Sequence, residues 1–176
     1  MSSLEQVDPR VKQILVAGVG NAWLQDDAFG SEVARRLERG ALPDGVTVMD
    51  FGTSGLDLAY ELIRGYSALV LVDASRQGGA PGTLYVMEPD RADFQGEVSD
   101  GESIDPHDMN PHTVLRFVSV MGGWPGKVVV IACEPGQVEE PGFGLTPEVD
   151  AAIVTATRLV LETVAELQTD AAYQRA

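Results

Sequence analysis

Cysteine is nearly absent from this chain: its 176 residues include one, Cys133, so no disulfide can form within it. Set in the apolar run KVVVIACEP, that cysteine reads as a small buried core residue rather than a reactive thiol. Positive charge is scarce too. Twelve lysines and arginines face 27 aspartates and glutamates, and the formal charge of −15 would repel a phosphate backbone over most of the surface, which argues against nucleic acid as a partner. Long apolar runs are missing: no stretch approaches the roughly 18 consecutive apolar residues of a membrane span. The opening residues MSSLEQVDPRVKQ lack the apolar centre of a signal peptide. The expectation is a cytoplasmic monomer with no membrane partner.

What the chain does have is regular alternation. Its length suits one domain, residues 1–176, with a core that needs no staples. Five β-branched runs read as strands: KQILVA (12–17), VTVMDF (46–51), ALVLVDA (68–74), TLYVME (83–88) and KVVVIAC (127–133). Phe29, Val33 and Leu37 recur at helical spacing, with Asp26 or Asp27 to cap the start and Gly40 to close the end. A second helix carries Leu56, Ala59 and Ile63 between a hydroxyl cap, Thr53 or Ser54, and Gly65. A third starts at Asn110 and Pro111, turns Val114, Leu115, Val118 and Met121 inward, and breaks at Gly122 and Gly123. The last begins near TPE (146–148) and carries Val149, Ile153, Ala156, Val160, Val164 and Leu167.

This order predicts a three-layer α/β/α fold around a five-stranded, mostly parallel sheet. The connection SRQGGAPG (75–82) is too short for a crossover helix, so the fourth strand is expected to run antiparallel or at an edge. The acidic stretch at 89–107, PDRADFQGEVSDGESIDPH, reads most simply as a solvated face.

Ligands of open α/β sheets bind beyond the carboxyl ends of the strands. Asp27 follows the first strand there, Asp50 ends the second, Asp73 ends the third, and His107 precedes the third helix. A nucleotide reading of the nearby GVGNAWLQDDAFG (18–30) fares poorly: Trp23 stands where a dinucleotide fingerprint needs its third glycine, and neither Lys12 nor Lys127 lies in a glycine loop. Carboxylates and a neutral imidazole are instead a reasonable donor set for a borderline divalent ion, with positions left open for water or substrate. Taken singly, Asp27 has a plain reading as a helix cap, Asp73 as a strand end bonded to backbone amides, and His107 as a loop histidine.

Together, ILVAGVGNAWLQDDAFG, MDFGTSGLDLAYELIRGYSALVLVDA, GAPGTL, PHDMNPHTVLRFV and IACEP…GLTPEV resemble the hydrogenase maturation endopeptidases over nearly the whole chain. The resemblance implies a metal-binding trio of Asp27, Asp73 and His107, with His112 a less favoured match for the histidine and Asp50 near the same cleft. Ala28 and Phe51 depart from the family, which usually has glycine at both places. The implied activity is a metal-dependent endopeptidase that trims the C-terminal extension of a nickel–iron hydrogenase large-subunit precursor after nickel insertion. Nickel would then belong to the substrate, polarising the peptide carbonyl and lowering the pKa of a bound water; Asp27 or Asp50 is the alternative general base, with Asp73 beside them. Covalent routes find no support, since Cys133 reads as buried and GTSG (52–55) puts Thr53 directly after the glycine, which breaks the G-x-S-x-G pattern. The other readings are a non-catalytic, nickel-dependent maturation checkpoint or scaffold and a Rossmann-type nucleotide-binding enzyme.

Overall fold

The computed structural model describes residues 13–95 and 110–170. The elements are β1 (Ile14–Val19), α1 (Phe29–Glu38), β2 (Val46–Gly52), α2 (Gly55–Ile63), β3 (Ala68–Ala74), β4 (Leu84–Met87), α3 (Pro111–Met121), β5 (Lys127–Cys133) and α4 (Pro147–Thr169), with 3₁₀ turns at Gln25–Ala28 and Arg91–Phe94. One sheet, ordered β2-β1-β3-β5-β4, holds all five strands. Four run parallel, and β4 pairs antiparallel with β5 from Leu84 opposite Cys133 to Met87 opposite Val130, as the short 75–82 connection requires.

Strand alternation sorts the core into two layers. Ile14, Val16, Val70, Val72 and Ile131 face α1 and α4, where they meet Phe29, Val33, Val149, Ala156, Val160 and Val164. Leu15, Ala17, Leu69, Leu71 and Val128 face α2 and α3, against Leu58, Ala59, Leu62, Val114, Leu115 and Val118. The sheet is therefore covered on both faces, which explains why β1 and β3 are continuous apolar runs rather than alternating ones. Cys133 has no solvent exposure, and burial pushes its thiol up to about 12. It belongs to the α1/α4 layer, as its apolar setting predicts.

Several details differ from expectation. Strand β1 extends through Gly18 and Val19, which pair with Asp50 and Gly52 of β2. Neither Asp26 nor Asp27 caps α1: the two sit in the preceding 3₁₀ turn, and Ala28 occupies the cap position. In α2 the buried stripe is Leu58, Ala59 and Leu62, while Ile63 is exposed. Two apolar stripes overlap on that short helix, and the sheet takes the one that reaches Leu15 and Leu69. Ser54 holds the N-cap position of α2, but its hydroxyl donates to the Asp57 carboxylate at 2.5 Å instead of accepting a backbone amide. Met121, in the last turn of α3, is exposed rather than inward. Asn110 caps α3 as expected, accepting from Thr113 N at 3.0 Å, and Gly122 ends it in a left-handed conformation. Among the described residues, no helix is long and apolar enough to cross a membrane. Of the acidic stretch, residues 96–107 lie outside the described residues.

Candidate active site

Strand β1 lies between β2 and β3, so the chain leaves β1 in one direction through α1 and returns on its other side through α2. The connections after β1 and β3 therefore diverge, and a crevice opens between them at the carboxyl ends of the strands. A cavity of about 310 Å³ occupies that crevice, lined among others by Gly20, Asp27, Thr53, Asp73, Asn110 and Pro111. Its other wall residues, Val19, Leu58 and Val114, place it on the α2/α3 side of the sheet.

The glycine-rich stretch positions this site by permitting close approach. A Cβ on Gly30 would lie 2.1 Å from the Val72 carbonyl oxygen and 2.3 Å from that of Val19, and one on Gly18 would lie 2.2 Å from the Gly30 carbonyl oxygen. The start of α1 thus rests directly on β1 and β3. A Cβ on Gly20 would meet the Asp27 carbonyl oxygen at 2.0 Å, so the loop can fold back on itself only with glycine there. These glycines serve helix–sheet contact and leave no phosphate cradle. The Asn21 amide, on the folded-back loop, lies 3.2 Å from Asp27 Oδ2. The Asp27 carboxyl thereby turns into the cavity that Asp73 enters from the end of β3.

Electrostatics mark the pair as unusual. Burial raises the pKa of Asp27, with the Asn21 amide opposing. Asp73 is pushed up to about 7, first by burial and then by the negative charge of Asp27, against the pull of the Ala74 amide that donates to its Oδ1 at 2.8 Å. Among the described residues, no lysine or arginine lines the cavity. Two carboxyl groups brought together in one cleft supply oxygen donors and negative charge, the inverse of a site for phosphate. Among the described residues no third histidine, cysteine or acid joins them in a metal-binding group. His107, the third expected ligand, lies outside the described residues.

The remaining candidates go elsewhere. Asp50 does not line the cavity: its Oδ2 accepts from Arg35 Nε at 2.9 Å and its Oδ1 from the Gly52 amide at 2.9 Å. It shares the parity of Val48 on β2, which points into the α1/α4 layer, so it turns away from Asp73. His112 packs its ring 5.1 Å from that of Phe94 and lines an adjoining apolar groove of about 420 Å³ that touches Asp73 from the far side. Asp26 is wholly buried, and its carboxylate accepts from the amides of Gly136, Gln137 and Thr146 and from the Thr146 hydroxyl, at 2.7–2.8 Å. Sequence reasoning treated Thr53 and Asn110 only as caps. Their position just past β2 and at the start of α3, on the same edge as Asp73, was the signal that they also line the cleft.

The molecule is an α/β sheet flanked by helices, with a cleft at its switch point that two carboxyl groups share. The family model of the hydrogenase maturation proteases matches residues 31–163. The Escherichia coli (strain K12) hydrogenase 2 maturation protease is 34% identical over 158 residues, which cover 88% of this chain and 92% of that one. Among solved structures, the hydrogenase maturating endopeptidase HybD from E. coli is 32% identical with a TM-score of 0.70, covering 88% of this chain and 93% of that one. A hydrogenase 2 maturation peptidase from a Thaumarchaeota archaeon is 34% identical with a TM-score of 0.68, covering 88% and 99%. The chain belongs to the hydrogenase maturation protease family.

Proposed function

We propose that this chain is the endopeptidase that removes the C-terminal extension of a nickel–iron hydrogenase large-subunit precursor after nickel insertion. It recognises nickel carried by that substrate through Asp27, Asp73 and His107, and acts in the cytoplasm. The observation that carries this reading is the carboxyl pair: Asp27 and Asp73 share one cleft at the switch point, and among the described residues no lysine or arginine lines it. Substrate-borne nickel would supply the missing charge and polarise the scissile carbonyl.

Burial and the charge of Asp27 push Asp73 up to about 7, and burial raises Asp27 as well. A carboxyl held above the usual carboxylate range is better matched to taking a proton from water and returning it to the departing amine. Asp27 fills the role, since Asp50 is held by Arg35 outside the cleft. The Thr53 and Asn110 side chains stand at the cavity wall, where a peptide backbone would lie.

The test is incubation with nickel-loaded and metal-free precursor, following the mass of the precursor's C-terminus. Cleavage of the loaded form alone is expected. Asp73→Ala and His107→Ala should each abolish it while leaving the protein folded, and His112→Ala should not. Equal cleavage of both forms would refute the metal recognition, and tight binding without any mass loss would make the protein a checkpoint instead of a protease.

A further inference from the structure

Among the described residues, Arg36 and Arg39 are the two cations with no hydrogen bond or ion pair; every other described arginine or lysine is engaged. In a chain of net charge −15 such a pair is conspicuous. Arg36 in α1 and Arg39 at its C-cap both line a surface cavity of about 490 Å³ on the α1/α4 side. Its carboxylates are Asp150 and Glu32, and Glu32 is already tied to Arg35 at 2.7 Å.

Phe143 stands at the wall of the same cavity, 74% exposed, with its ring centroid 4.9 Å from that of Trp23, itself 67% exposed. Aromatic side chains this exposed are costly in water, and Trp and Arg are the residues most enriched where binding energy concentrates. The pair is also held in place. Gly142 N donates to the Trp23 carbonyl at 2.9 Å, Gln25 N donates to the Gly142 carbonyl at 3.0 Å, and the buried Asp26 clasps residues on both sides of Phe143. A partner landing there would spend little free energy ordering the loops. The platform also adjoins the cleft, because the Trp23 amide donates to Asn21 Oδ1 and the Asn21 amide approaches Asp27.

We propose that Trp23, Phe143, Arg36 and Arg39 form a docking platform, separate from the catalytic cleft, for an acidic segment of the protein substrate that presents an apolar side chain. This rests on the substrate being the precursor proposed above. The apolar side chain packs on the aromatic pair, and the acidic groups face the two unpaired arginines. The net negative charge of the chain disfavours such a segment over the rest of the surface as a whole, so the platform sets its orientation as well as its affinity.

The test uses the full chain and nickel-loaded precursor. Trp23→Ser with Phe143→Ser, and separately Arg36→Glu with Arg39→Glu, should each raise Kd and KM for precursor by roughly 30- to 100-fold, with kcat within about twofold and Tm unchanged. The arginine variant should also flatten the salt dependence of binding. A photoreactive benzoylphenylalanine at position 143 should crosslink to the precursor in otherwise unaltered protein. If the parent chain cuts precursor and both variants keep its KM, the platform is refuted while the protease reading stands. If the parent chain neither binds nor cuts precursor, both fall. A dimer seen by sedimentation and dissolved by the aromatic variant would assign the face to a second copy and overturn the proposal.

Discussion

Asp26 accepts four hydrogen bonds at a site with no solvent exposure, whereas its neighbour Asp27 is half-buried beside a like charge in the cleft. Removing the first should therefore act on stability. Asp26→Ala strands three amides and a hydroxyl, and is expected to cost about 3–5 kcal/mol, read as a Tm roughly 10 °C lower. For Asp73 the prediction is one of pH. Its carboxyl titrates at about 7 in the folded protein against 3.8 when unperturbed, so the folded state holds the proton more tightly. Below about 3.8 both states are protonated and nothing is lost; between there and about 7 the unfolded chain ionises first and stability falls; above that window the penalty is constant. Asp73→Asn in metal-free protein should consequently match the parent at about pH 4 and exceed its Tm by roughly 8–16 °C at about pH 8, for a difference on the order of 4 kcal/mol. A gap that is largest in acid would contradict the assignment.

At the scale of elements, the contact between α1 and the sheet decides whether the site forms. Gly30→Ala places a Cβ 2.1 Å and 2.3 Å from two backbone oxygens, which no side-chain rotation relieves. The helix must lift, at a cost of about 3 kcal/mol that a shift in the urea midpoint would register. Much of this level was legible from sequence. β-branched runs fixed all five strands, and Asn110 with Pro111 fixed the start of α3, because those signals are local. Asp27 and Asp73 were legible as a pair because each follows a strand that the fold places at the switch point. Asp50 was not separable from them by position alone. The parity of β2 turns it toward Arg35, and which face a strand residue takes depends on register across the sheet. The split between Asp26 and Asp27 was invisible for a similar reason: the amides that bind Asp26 lie 110–120 residues further along.

For the whole molecule, net charge is the governing quantity. Fifteen uncompensated negative charges on 176 residues repel one another in the compact state. Raising NaCl from about 20 mM to about 200 mM shortens the screening length severalfold, and should raise Tm by roughly 2–4 °C. An unchanged or lower Tm would show that the ion pairs on α1, α2 and α4 outweigh the repulsion.

The Asp26 clasp also imposes an order on synthesis. Both carboxyl groups of the cleft and the first three strands are complete once residue 74 has been made, yet the loop that carries Asp27 is also fastened, through Asp26, to amides between residues 136 and 146. A nascent chain that ends before that point carries both acids of the cleft but lacks the clasp on the loop that bears Asp27. The clasp is complete only once Thr146 has been made, long after Asp73, so the second acid of the cleft is in place well before its neighbour's loop is locked.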